Sequence, residues 1–171
     1  MSSGSDVRQL KSRRKSHYSF FLEYRTRWSD NDQYAHMNNA VYYHLFDSII
    51  NTYLIEVCGM KNSGDSSVGL VVSSYCNFFT PLSFPQVLIL GLRVNTLGRS
   101  SVTYEVGIFP ERSTIDGRNA TFSSSDDDVV AAVGGYTHVF VDNSSRKSIR
   151  IPQEIYDGLH KLLWHEETSR L

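Results

Sequence analysis

Between Phe21 and Trp28 apolar and polar positions alternate, with Leu22, Tyr24 and Trp28 separated by Glu23, Arg25 and Arg27. A period of two predicts a strand with one buried face. From Asn39 to Cys58 the period lengthens. Val41, Leu45, Ile49, Tyr53 and Val57 recur every four residues, with Tyr42, Phe46, Ile50 and Leu54 alongside. That pattern predicts a helix of about five turns with a wide apolar stripe. Asn38 or Asn39 fits its N-cap, and Gly59 fits the left-handed residue past its end. A stripe so wide needs a large apolar surface to cover it.

The rest of the chain supplies that surface. Strands are predicted over Val68–Phe79, ended by Pro81, and over Val87–Leu97, ended by Gly98. Ser101–Phe109 alternates, with Val102, Tyr104, Val106 and Ile108 on one face and Ser101, Thr103 and Glu105 on the other. Val129–Val141 is a further strand, in which Gly134 and Gly135 mark a bulge or a close backbone approach. Pro110–Asp128 reads as a long polar loop insertion, and Ile155, Leu159, Leu162 and Leu163 as a short helix after Pro152. Strand, long helix and four more strands predict an α+β fold: an antiparallel sheet of about five strands wrapped around a long central helix. Its edge strands need covering, which predicts a homodimer or a homotetramer built from dimers.

Composition narrows the class. A chain of 171 residues predicts one domain, here residues 18–171 behind an arm at 1–17. No run of about 18 apolar residues occurs, so no membrane span is expected. The net charge of −1 is unevenly spread. Five of the first 15 residues are basic against Asp6 alone, leaving the arm at +4 and the body at −5. The arm reads as disordered, and the acidic body does not fit a nucleic-acid partner. Cys58 and Cys76 lie in apolar contexts without metal-ligand spacing, as expected of buried thiols in a reducing compartment. A cytoplasmic location is expected, with a mitochondrial one as the alternative, because the arm is rich in Arg and Ser and poor in acids.

The densest polar cluster, Ser29 to Asn39, joins the first strand to the long helix and holds Asp30, Asp32 and His36. Its position matters, because a helix start offers unpaired N–H groups and partial positive charge. Such donors stabilise an oxyanion, and a nearby carboxylate can act as general base or nucleophile. The same residue types also serve as ordinary turn and cap residues. One histidine with scattered carboxylates lacks metal-ligand spacing, and no nucleophile elbow or phosphate loop is present. No cofactor or metal is expected.

Arg27-Trp28-Ser29-Asp30-Asn31-Asp32, followed by His36-Met37-Asn38-Asn39, Tyr42-Tyr43 and Phe46-Asp47, resembles the signature of hotdog-fold acyl-CoA thioesterases of the 4-hydroxybenzoyl-CoA thioesterase-like group. Asn77-Phe78-Phe79-Thr80-Pro81-Leu82, Gly98-Arg99-Ser100-Ser101 and Val139-Phe140-Val141-Asp142 with Ile151-Pro152 are similar to later segments of that family. The resemblance covers about Tyr18 to Leu163. It implies an acyl-CoA substrate, no cofactor, and sites at a dimer interface.

By position the resemblance puts the catalytic carboxylate on Asp32, a structural acid on Asp30 and the oxyanion donor on the backbone N–H of Asn39. His36 matches a histidine that takes part in related acyl-carrier-protein thioesterases, while Tyr34 stands where their Asn would be. Ser73 and Ser74 lie near the strand position where some members carry a second acid, so a single-carboxylate mechanism through Asp32 is expected. Substrate binding falls to Tyr34, Asn38, Tyr42, Ser73 and Ser74, with Arg99, Ser100 and Ser101 for the CoA phosphates and Tyr42, Phe46, Tyr75, Phe78 and Phe79 available for the acyl chain. The alternatives are an acyl-carrier-protein thioesterase, a dehydratase, which would need a His/acid pair across the site, and a non-catalytic acyl-binding protein.

Overall fold

A computed structural model describes residues 4–60, 66–111 and 129–164. In chain order it contains α1 (Gly4–Lys11), β1 (Phe20–Arg25), α2 (Asn39–Glu56), β2 (Ser67–Phe78), β3 (Val87–Leu97), β4 (Ser101–Glu111), β5 (Ala132–Asp142) and α3 (Gln153–His160). The five strands form one antiparallel sheet in the order β1-β3-β4-β5-β2. This is the expected hotdog arrangement, with α2 held against one face.

The helix forms where the period predicts it. The Asn38 side chain accepts from the Ala40 N–H at 2.9 Å, which caps the first turn. Gly59 ends the run at φ +71°, a conformation that favours glycine. Tyr42, Leu45, Phe46, Ile49, Ile50, Tyr53 and Leu54 are all buried. Val57 is exposed because it lies beyond the last turn, where the stripe leaves the sheet. The partners are Leu88, Leu90, Leu92 and Val94 of β3 and Val102, Tyr104, Val106 and Ile108 of β4. Each large apolar side chain buried there contributes about 1.5–3 kcal/mol.

The close approach expected at Gly134 and Gly135 is present. A Cβ at Gly134 would meet the carbonyl of Tyr75 and the ring of Phe46, and one at Gly135 would strike the carbonyl of Tyr104. The β4–β5 ladder is interrupted at Gly135 and Tyr136 but resumes at Gly134 in the same register; the register shifts lie elsewhere, between Val71 and Ser73 of β2 and between Val94 and Thr96 of β3.

Three expectations change. β1 stops at Arg25, short of Trp28, because the Asp30 carboxylate captures the Arg27 N–H at 2.7 Å and bends the chain into a turn. Trp28 is consequently 80% exposed and packs edge-on against Phe84. Pro110 and Glu111 complete β4 opposite Leu88 and Val87, so the insertion starts later; residues 112–128 lie outside the described residues.

The third change is the arm, which is structured from Gly4. Arg13 reaches the outer face of the sheet and pairs with Glu105 at 2.8 Å. Glu105 also accepts from Tyr18 (3.1 Å), Asn95 (3.0 Å) and Arg93 (3.1 Å). The Tyr18 ring lies over the registered pair Gly91 and Gly107, where a Cβ would come within 2.8 and 2.7 Å of it. The Arg93 guanidinium stacks 4.9 Å from the Trp164 ring centroid. Burial alone would raise the Glu105 carboxyl, but Arg93, Arg13 and Asn95 hold it below the usual carboxylate range. The polar alternation of β4 thus marks a second buried face, closed by the arm.

Candidate active site

The loop from Trp28 to Asn39 is fixed at several points. Asp30 is buried, and its carboxylate accepts from Tyr24 (2.7 Å) and from both the backbone and side chain of Arg27. Burial opposes its charge, but these bonds outweigh it and keep the carboxyl below its ordinary value. The Asp30 carbonyl accepts the Asn38 N–H at 2.8 Å, and Met37 N–H donates to Leu82 at 2.7 Å. Asn31 accepts the Phe84 N–H at 3.0 Å. The loop is therefore bonded to the segment that joins β2 to β3.

Within that frame Asp32 and His36 close a tight turn. The Asp32 N–H donates to the His36 carbonyl at 2.8 Å. The Asp32 Oδ1 accepts the N–H groups of Tyr34 (2.8 Å) and His36 (3.3 Å). Among the described residues none donates to its Oδ2. Ala35 at the turn has φ +61°, which costs a residue with a Cβ about 1–2 kcal/mol.

The start of α2 completes the arrangement. Ala40 N–H is taken by the Asn38 side chain and Val41 N–H by the Asn38 carbonyl. Among the described residues no acceptor meets the Asn39 N–H. A cavity of about 310 Å³ is lined by Asp32, His36, Met37, Asn39, Tyr42 and the run Phe78–Leu82. Tyr42 is buried edge-on against Phe78 at 4.8 Å between centroids, and burial pushes its hydroxyl up to about 12. A carboxylate with one oxygen uncommitted, an unpaired N–H and an apolar wall therefore face one space.

The structure brings together Asp32, His36, Asn39, Tyr42, Phe78 and Phe79, whereas Phe46 is taken up by the core under α2 and Tyr75 pairs with Gly135 along β2, so neither lines the cavity. Tyr34 is 71% exposed and does not line the cavity, and the Asn38 side chain is committed to the helix cap. Ser73 and Ser74 lie mid-way along the edge strand β2, while the cavity uses only its last residue and the segment beyond it. Arg99, Ser100 and Ser101 sit at the β3–β4 turn, the opposite end of the sheet from Asp32 in the same chain. Arg99 instead lines a separate hollow with Arg150 and Tyr156. Met37, Thr80, Pro81 and Leu82 line the cavity without having been singled out for it. Their only signal was membership in the two flanking motifs. Cys58 and Cys76 are free thiols, raised by burial to about 11 and about 12, which makes neither a nucleophile near neutral pH. Among the described residues no group of His, Cys, Asp or Glu is arranged to hold a metal. Among them, too, no helix is long and apolar enough to cross a membrane.

The profile of the thioesterase superfamily matches residues 34–115, which span the end of the motif loop, α2 and β2 to β4. Over that stretch, just under half of the chain, the sequence is similar to the thioesterase superfamily. Among solved structures, the chain is similar to the PA5185 protein of Pseudomonas aeruginosa strain PAO1. The two are 41% identical, over 89% of this chain and 96% of the other, with a TM-score of 0.77. It shares its fold with Slr0204, a 1,4-dihydroxy-2-naphthoyl-CoA thioesterase from Synechocystis: 14% identity, 84% and 96% covered, TM-score 0.68. Among curated proteins it is 25% identical over 89 residues to the uncharacterized protein YsmA of Bacillus subtilis (strain 168). That match covers 52% of this chain and 60% of YsmA, less than two thirds of the relative's length. His36 to Asp47, Asn77 to Leu82 and Gly98 to Ser101 fall in the matched stretch; Asp30 and Asp32 lie just ahead of it and Val139 to Pro152 beyond it.

Proposed function

We propose that this protein hydrolyses acyl-CoA thioesters to the free acid and CoA. The observation that carries the reading is the shared cavity of Asp32, His36 and the unpaired Asn39 N–H. The thioester carbonyl oxygen sits at the Asn39 N–H, where the positive end of α2 favours developing negative charge. The Asp32 carboxylate takes a proton from an attacking water, or attacks the carbonyl carbon itself and is released by water in a second step. Either way the C–S bond breaks and the sulfur leaves with the bonding pair; in the general-base route it takes up the proton held by Asp32, and in the covalent route it leaves as a thiolate that is protonated from solvent. His36 orients the substrate at the cavity rim. The acyl group lies against Met37, Tyr42, Phe78 and Leu82. CoA as the thiol is consistent with the CoA thioesterase of Synechocystis that shares the fold.

The working unit in this reading is a homodimer. At the edge strand β2, Val71 and Val72 are 51% and 61% exposed, so an unpaired row of N–H and C=O groups carries apolar side chains. Antiparallel pairing of two copies through β2 covers both.

Asp32→Asn is the decisive variant. Its Oδ1 still accepts from Tyr34 and His36, so the loop keeps its shape. Turnover in a thiol-release assay across short, long and aromatic acyl-CoAs is expected to fall about 100- to 10,000-fold. Near-normal turnover of the variant would sink the assignment. Acyl-CoA binding by the parent protein without thiol release would identify a non-catalytic acyl-binding protein. Preference for acyl-carrier-protein thioesters would replace CoA as the thiol.

A further inference from the structure

The basic arm takes no part in the cavity chemistry, and only some of its charge is used inside the fold. Arg8, Lys11, Arg13, Arg14 and Lys15 put five cations into eight residues. Arg13 is committed to Glu105. Arg8, Lys11 and Arg14 are exposed, and Lys15 is half-buried. Among the described residues no carboxylate pairs with Arg8, Lys11 or Lys15. Cations crowded on one short stretch repel one another, and an anionic surface relieves that repulsion.

The arm is fastened, so these charges have a fixed place. Leu10 of α1 packs on the outer face against Phe109, Val130 and Val133, with Phe79 and Ile89 beside them. Arg8 and Lys11 flank Leu10 in the helix and stay in water. Arg13 and Tyr18 hold the next stretch through Glu105.

That place is the end of the sheet that carries the cavity. Ile89 lies near the start of β3, Phe109 near the end of β4 and Val133 near the start of β5. Phe79 belongs both to the cluster under Leu10 and to the cavity wall. At the same end β1 stops at Arg25, opposite Val87, and the exposed Trp28 follows, edge-on to the exposed Phe84. Both rings sit on bonded loops, since Asn31 holds the Phe84 N–H and Asp30 the Arg27 N–H. An exposed indole on a fixed loop suits the boundary between lipid headgroups and acyl chains, where one side is wet and the other apolar. The exposed carboxylates at this end, Glu23 and Glu111, are outnumbered by Arg8, Lys11 and Arg25.

We propose that the basic arm and the Trp28–Phe84 pair form a docking face for an anionic phospholipid surface, which holds the protein peripherally with its cavity end against lipid. A flat anionic surface meets the +4 arm from one side, while the −5 body is repelled and stays clear of it. A nucleic acid fits less well. The arm's rings, His17 and Tyr18, are packed against Trp164 and over Gly91 and Gly107, so neither is offered to a base. Attachment is electrostatic and reversible. Each basic residue near an anionic bilayer contributes about fivefold in partition, an effect that fades beyond about 8 Å at physiological ionic strength. Such docking does not depend on which thioester is hydrolysed, or on hydrolysis at all.

The test is co-sedimentation of the full chain with vesicles of mixed phosphatidylcholine and phosphatidylserine, against vesicles of phosphatidylcholine alone. Partition onto the mixed vesicles only is expected, with release at about 1 M salt, where screening shortens to about 3 Å. Arg8→Ala with Lys11→Ala is expected to weaken partition about 25-fold at an unchanged thermal midpoint. Trp28→Ser is expected to weaken it severalfold, also at an unchanged midpoint. Equal partition onto both kinds of vesicle, or unaltered partition of the double variant, overturns the docking face. Unaltered partition of Trp28→Ser overturns the placement of the cavity end against lipid. Tighter binding to a DNA duplex than to the mixed vesicles overturns the lipid surface in favour of a nucleic acid.

Discussion

Glu105 and Asp32 are carboxylates that face opposite ways in this fold, and their surroundings differ in kind. Glu105, on the outer face of the sheet, is buried and accepts from four side chains drawn from the arm, β3 and the chain before β1. Asp32, at the start of α2, is half-buried and has one oxygen held by two backbone N–H groups, while its side chain borders a cavity. A saturated buried charge belongs to the framework, since removing it strands the partners. A carboxylate held by one oxygen is oriented and still has capacity for a substrate or a water. Asp30, two residues earlier, makes the same point within one loop, being buried and fully engaged.

The contrast is broken most severely by exchanging the symptoms of the two sites. Asp32→Asn should lose its 100- to 10,000-fold of turnover while the unfolding midpoint stays put. Glu105→Gln should do the reverse. It leaves Arg93 and Arg13 without their counter-charge, and is expected to cost about 3–5 kcal/mol in chemical denaturation. Turnover per folded molecule should be kept. A Glu105→Gln protein of parental stability would show that the arm is not part of the framework.

A smaller effect comes from the interior beneath α2. His138 is buried among Tyr104, Tyr136 and Phe140, and burial lowers its imidazole to about 4 from 6.5. Asp47, on α2, opposes that shift without overcoming it. As pH falls, the unfolded chain takes up this proton first. The stabilisation is complete above about 6.5 and is lost progressively down to about 4, in total about 3 kcal/mol. Denaturation curves at pH 7 and pH 5 should differ accordingly, and His138→Gln should flatten that slope. An equal slope in the variant would assign it to other groups.

The smallest effect sharpens the division between cap and chemistry. Asn38→Ala removes the side-chain cap of α2 and should cost about 1 kcal/mol of stability. If Asn38 acts only through the cap, kcat falls far less than in Asp32→Asn; a comparable fall would make it a participant.

Much of this was legible along the chain. The stripe from Tyr42 to Leu54 and the alternation of Val102, Tyr104, Val106 and Ile108 are local periodicities, and both end in the core. The motif loop was legible because Asp30, Asp32 and His36 crowd the start of a helix. The arm was not. Arg13 and Tyr18 look solvated in sequence, and their partners Glu105, Arg93, Gly91 and Gly107 are about 70 to 90 residues away. Nor was the break at Arg25, since a carboxylate capturing an N–H three residues back leaves no trace in an apolar count.

The sequence by itself determined the fold, because burying one wide apolar stripe leaves few alternatives to a sheet wrapped around a helix. It also determined which loop holds the acid. Only the tertiary structure decided how each charged group is used. Arg99 was grouped with Asp32 by motif, but the length of β3 separates them within a chain. Alternation put Glu105 only on the face opposite Val102 and Tyr104, and the arm is what buries it. A local pattern records which face a residue takes, whereas the long-range bonds that satisfy or spare a charge are set when distant segments meet.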